Sequence, residues 1–153
     1  MDLILWRHAE AEDELELGGD LARRLTPKGE KQASRMASWL DRQLPDGARI
    51  YASPAVRTEQ TVVALGRKYR LRDELSPDGT PEQLLQLVQW PHIKGATLVV
   101  GHQPALGRVI AQLLGLQEPD CAVRKGAVWW LRQREREGVK QTVVVTVQTP
   151  ELQ

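Results

Sequence analysis

Short apolar runs recur along the chain, and each is followed by a stretch with helical spacing. Leu3-Ile4-Leu5-Trp6, Arg49-Ile50-Tyr51-Ala52 and Thr97-Leu98-Val99-Val100-Gly101 read as strands. The first helix is predicted to start at Thr26-Pro27, a capping residue followed by proline at the first helical position. Its core stripe is Ala33, Met36, Ala37, Leu40 and Leu44. A second helix is predicted from Ser53-Pro54 to about Tyr69. A third starts at Thr80-Pro81, with Gln83 placed to close a capping box and Leu84, Leu87 and Val88 facing inward. A fourth follows Gln103-Pro104, carries Leu106, Val109, Ile110, Leu113 and Leu114 on one face, and ends at Gly115.

This alternation predicts βα units and an α/β fold, a three-layer α/β/α sandwich around a mostly parallel sheet. After Gly115 the pattern changes. Val128–Leu131 and Val143–Val147 are rich in β-branched and aromatic residues, which predicts a C-terminal antiparallel hairpin with the charged stretch Arg132–Gly138 as its tip. Residues 1–153 are expected to form a single domain.

Composition narrows the function classes. With 41% hydrophobic and 27% charged residues the chain is an ordinary globular one. A net charge of +1 gives no general pull toward nucleic acid or acidic membranes, so neither is an expected partner. Cys121 is the one cysteine, which rules out an internal disulfide framework. The start of the chain reads as a buried strand, not a secretory signal, and the expectation is a cytoplasmic monomer.

The candidate chemistry sits at the strand ends. Arg7-His8 ends the first run, His102 ends the third, and Arg57 lies just past the second, in the first turn of a predicted helix. In an open α/β sheet the strand carboxyl ends share one rim, where ligands bind. Two arginines and two histidines there would suit a phosphoryl dianion: guanidinium forks hold equatorial oxygens, and a helix N-terminus adds free N–H groups. A neutral imidazole whose second nitrogen is pinned by an acceptor is a competent nucleophile. His8 beside Arg7 fits that role, and His102 fits a protonated donor to the phosphoryl group. Competing chemistries lack their parts. Position 127, six past Cys121, is alanine where a cysteine phosphatase needs arginine; no paired cysteines follow His8-Ala9-Glu10 as in a zinc deaminase; and there is no Gly-rich phosphate loop. Adjacent arginines disfavour a metal between the histidines, and no cofactor is expected.

The motifs Arg7-His8-Ala9-Glu10-Ala11, Leu25-Thr26-Pro27-Lys28-Gly29-Glu30-Lys31-Gln32-Ala33, Ser53-Pro54-Ala55-Val56-Arg57-Thr58-Glu59-Gln60-Thr61 and Val100-Gly101-His102-Gln103-Pro104 stand in that order over residues 1–115. In this the sequence resembles the histidine phosphatase superfamily, also called phosphoglycerate mutase-like, and most of all its SixA-type phosphohistidine phosphatases. The resemblance implies that His8 is the phosphorylated nucleophile and that Arg7, Arg57 and His102 complete the phosphate pocket. Arg23, Glu10 and Gln103 are further candidates for substrate binding, although for Arg23, with Arg24 and Lys28, a solvated face is the plainer reading. Ala9 replaces the family's glycine, a change that an extended backbone tolerates and a positive φ does not.

Larger relatives insert a segment carrying a general acid; here only residues 71–79 occupy that stretch, with Glu74 and Asp78 as candidate acids. An alkoxide leaving group, comparable with water's pKa of roughly 15.7, needs a strong acid. Imidazole, with a pKa of about 6.5, needs far less help. The short, acid-poor stretch therefore suits a phosphoramidate, and the resemblance implies phosphohistidine of a signalling protein of the histidine phosphotransfer type as the substrate. A small phosphomonoester, or a catalytically weak phosphoprotein-binding module, is the alternative.

Overall fold

The computed structural model describes residues 1–13 and 18–153. In chain order its elements are β1 (Asp2–Arg7), α1 (Pro27–Gln43), β2 (Arg49–Ala52), α2 (Val56–Val63), β3 (Arg70–Leu71), α3 (Pro81–Leu87), β4 (Ala96–Gly101), α4 (Ala105–Leu114), β5 (Val128–Arg136) and β6 (Val139–Gln148), with short 3-10 turns at Asp20–Ala22, Asp73–Leu75 and Pro150–Leu152. One six-stranded sheet runs β3-β2-β4-β1-β5-β6. The pairs β3–β2, β2–β4 and β4–β1 are parallel, whereas β1–β5 and β5–β6 are antiparallel.

Strand alternation sets the layers. Ile4 and Trp6 of β1 point into one core with Met36, Leu40 and Val62, so α1 and α2 cover that face. Leu3 and Leu5 point into the other, with Leu84, Leu106, Val109 and Ile110 of α3 and α4. All six residues of β4 are buried, as expected of a strand covered on both faces. This is the predicted α/β/α sandwich. Among the described residues no helix is long and apolar enough to cross a membrane.

Capping follows the sequence at α1 and α3. Thr26 accepts from the Gly29 amide, and Thr80 and Gln83 form the full capping box. Gly115 ends α4 in the left-handed conformation at φ 66°.

Three expectations are corrected. Helix α2 does not start at Ser53 or reach Tyr69: its N-cap is Ala55 and its last residue Val63. The Ser53 hydroxyl is engaged elsewhere, as described below. Arg70–Leu71 pairs with Tyr51–Ala52 as a short edge strand that the sequence did not signal. The charged stretch Arg132–Arg136 is strand, not tip, and the turn is the two-residue Glu137-Gly138, with φ 53° and 77°. Positive φ at both positions is the hairpin geometry that matches strand twist.

Candidate active site

The sheet register builds the rim before any side chain is considered. Arg7 pairs with Gly101 and Ala52 with Val100, so His8, His102 and Ser53 each leave their strand at the same rim. In that register His8 is level with His102 and Ser53 sits one residue short of it, and backbone bonds fix this: His8 N–H donates to Gly101 O at 3.1 Å and Ser53 N–H to Val100 O at 3.1 Å. The imidazole rings of His8 and His102 consequently face each other, with centroids 5.2 Å apart and planes at 57°. Both are buried, at 6% and 4% exposure.

His8 donates from Nδ1 to the Ala9 carbonyl at 2.7 Å. A carbonyl can only accept, so the proton is on Nδ1 and the Nε2 lone pair is free. Burial first, then the charges of Arg57, Arg7 and Arg23, push the His8 pKa down to about 4 against the pull of that hydrogen bond. His102 is pushed down to about 3, by burial and then by His8 and Arg57. Both are neutral at pH 7.

The arginines come from different elements, Arg7 from the end of β1 and Arg57 from the first turn of α2. Arg57, second residue of α2 and 3% exposed, donates Nη1 to the Asp20 carbonyl at 2.7 Å and Nη2 to Asp20 Oδ2 at 3.0 Å. Arg7 donates Nη1 to Val123 O at 2.8 Å. Each keeps a buried Nε–H without a partner. Two orphaned buried donors on adjacent cations are costly unless an acceptor arrives, and an oxyanion is the natural one. The Arg7 pKa is lowered by burial and by the Arg57 charge, a strain that a bound anion would relieve.

Supporting contacts hold this frame. Thr61 Oγ1 donates to Arg57 O at 2.7 Å and accepts from Ala9 N at 3.2 Å, tying α2 to the end of β1. Gln103 accepts from Gly107 N and donates to Cys121 O at 2.9 Å, while Trp6 Nε1 donates to Gly126 O at 3.1 Å. The 121–127 loop is thereby fastened across the site. Ala9 has a negative φ, and its buried methyl packs with Ala11, Leu25 and Ala33.

The geometry brings together Arg7, His8, Arg57 and His102, with Arg23 close enough for its charge to depress His8. It does not bring in the other candidates. Glu10 accepts from Thr26 Oγ1 at 2.7 Å, bracing the start of α1. The Gln103 amide is taken by the scaffold contacts just described. Glu74 pairs with Arg72 at 2.8 Å, and Asp78 is exposed. The cleft that Glu74 lines, with Tyr51, Arg72 and Gln86, contains none of the four convergent residues. His92, between α3 and β4, is exposed. Among the described residues no group of three or more His, Cys, Asp or Glu is placed to hold a metal.

Two residues were missed. Ser53 is fully buried, with Oγ 2.8 Å from His102 Nε2 and accepting from Ala55 N. Its place before Pro54 looked like a helix cap, and that signal masked it. Asp20 bridges Arg57 and Arg23 from a glycine-flanked segment without periodicity, so nothing in the sequence marked it.

The family model of the histidine phosphatase superfamily (branch 1) matches residues 3–78. Phosphohistidine phosphatase SixA of Escherichia coli strain K12 is 30% identical over 128 residues, covering 78% of each chain. The chain belongs to the histidine phosphatase superfamily. A SixA homolog from Haemophilus influenzae is 29% identical over 134 residues, 78% of this chain and 80% of that one. A structure of the protein histidine phosphatase SixA complexed with tungstate superposes on this histidine phosphatase over 100% of both chains, with TM-score 0.80 and 26% identity.

Proposed function

We propose that this phosphatase removes the phosphoryl group from phosphohistidine on a signalling protein, through a phosphohistidine intermediate on His8. The observation that carries the reading is the neutral His8 imidazole, its Nδ1–H pinned on Ala9 O, beside two buried guanidinium Nε–H groups without acceptors. Phosphoryl oxygens would take those donors. His8 Nε2 attacks phosphorus and forms a P–N bond while the substrate's P–N bond breaks, and the substrate imidazole, carrying a proton on its other nitrogen, departs neutral. Water then attacks phospho-His8, the P–N bond to Nε2 breaks, the ring returns to its neutral form, and the water's protons leave on inorganic phosphate. His102, taking a proton from solvent as the dianion docks beside it, donates to an oxygen as charge builds. Arg7 and Arg57 hold the remaining oxygens, with Arg23 at the rim.

Substrate choice follows from the leaving group. The carboxylate bonded to the site arginines is Asp20, whose pKa is lowered: burial opposes this, but hydrogen bonds from Arg23 and Arg57 prevail. It is ionised and is a poor proton donor, which supports an imidazole leaving group over an alkoxide. The enzyme would act without a cofactor, as one domain and a monomer, in the cytoplasm.

The test is to incubate the protein with a histidine-phosphorylated phosphotransfer domain and trap acid-labile phosphate. Label on the wild type and none on His8→Ala is expected. Absence of label with continued binding would mark a phosphoprotein-binding module. Equal turnover of sugar or nucleotide phosphates would move the substrate to small phosphomonoesters.

A further inference from the structure

Asp20 is the least expected member of the site. Its carboxylate accepts from Arg57 Nη2 at 3.0 Å and from Arg23 Nη1 at 3.1 Å, and its side chain remains 42% exposed. Arg57 is thus shared. One edge of its guanidinium holds a carboxylate, while its buried Nε–H is left for another acceptor. A carboxylate offers about four lone-pair positions, of which the two arginines take one on each oxygen. The rest are open to a ligand seated on the same guanidinium.

We infer that Asp20 is a specificity-determining residue: its carboxylate disfavours substrates that carry a second anion beside the phosphoryl group and favours leaving groups that present an N–H. Any group bonded to Arg57 Nε lies a few ångströms from this fixed negative charge. A phosphomonoester with a neighbouring carboxylate brings like charge against it in a partly screened setting. The N–H of an imidazole or ammonium meets an acceptor there instead. Phosphohistidine satisfies the rule, and phosphorylated hydroxy acids and phosphoamino acids free at the carboxyl do not.

The inference rests on the phosphate-site reading above, and its test separates the two. O-phosphoserine and O-phosphoethanolamine share the phosphomonoester and the ammonium and differ by one carboxylate. Their affinities are measured by calorimetry in a His8→Ala background, which removes turnover, with and without Asp20→Asn. His8→Ala is expected to bind phosphoethanolamine about tenfold more tightly, and Asp20→Asn to bring the two within about twofold. If Asp20 only braces Arg57, the substitution weakens both ligands alike and the preference persists, which overturns the inference. No preference in His8→Ala, or no binding of either ligand, also overturns it. A collapsed preference in an enzyme that ignores phosphohistidine proteins would refute the proposed substrate and leave the role of Asp20 standing.

Discussion

His8 Nδ1 lies 2.7 Å from the carbonyl oxygen of Ala9, the residue that follows it in the chain. This contact selects the tautomer with a free Nε2, and burial, helped by the neighbouring arginine charges, then holds the ring neutral, with a pKa of about 4. Attack requires the neutral ring, so the second-order rate constant of His8 phosphorylation, which reports the free protein, is expected to lose no activity to His8 protonation until about pH 4. A free histidine would lose activity near 6.5. Rapid-quench labelling across pH 3.5–7 reads the limb; a midpoint near 6.5 would refute the assignment.

The same burial makes stability pH-dependent. Between pH 6.5 and about 4 the unfolded chain protonates His8 while the folded one does not, so stability is full above 6.5 and declines as pH falls. His102 acts in the same direction down to about pH 3. His8 contributes on the order of 3 kcal/mol at full effect, and His102 somewhat more. Urea midpoints at pH 7.5 and 4.5 are expected to converge in His8→Ala relative to wild type.

Ser53→Ala removes the partner of a buried imidazole nitrogen. Loss of orientation of His102 is expected to lower kcat roughly 10- to 100-fold, with a much smaller change in KM. An unchanged kcat, measured on a fold verified by thermal melting, would make the Ser53–His102 contact incidental.

Ala9→Gly restores the residue found elsewhere in the family. Because Ala9 has a negative φ and a fully buried methyl, the change should cost about 1 kcal/mol or more of stability and leave kcat within a few fold. Denaturant unfolding and steady-state turnover measure the two effects.

Gly29→Ala tests a different kind of glycine. A Cβ there would lie within 2.0 Å of the Glu10 carbonyl, so α1 could not approach the end of β1. A loss of at least about 2 kcal/mol in stability is expected from the backbone shift.

Much of this was readable from residue order. Arg7-His8 and His102 stood at the ends of apolar runs, and the carboxyl-end rule places such residues on one rim without knowledge of strand order. Thr26 and Thr80 cap as their neighbours suggest. The failures share a cause. Ser53, Asp20 and Val123 act through partners 49, 37 and 116 positions away, and no local pattern encodes such contacts. Glu10 and Gln103 sit inside the motifs, yet their side chains brace the backbone. A motif does not separate residues that meet the substrate from residues that hold those in place.

β1 is flanked by β4 and β5, and Arg7 is anchored on Val123 O. The pocket around His8 is therefore incomplete until Val123, 116 positions after Arg7, has been synthesised. A nascent chain of this protein stays inert toward phosphorylated neighbours until β5 and the segment that carries Val123 have been made.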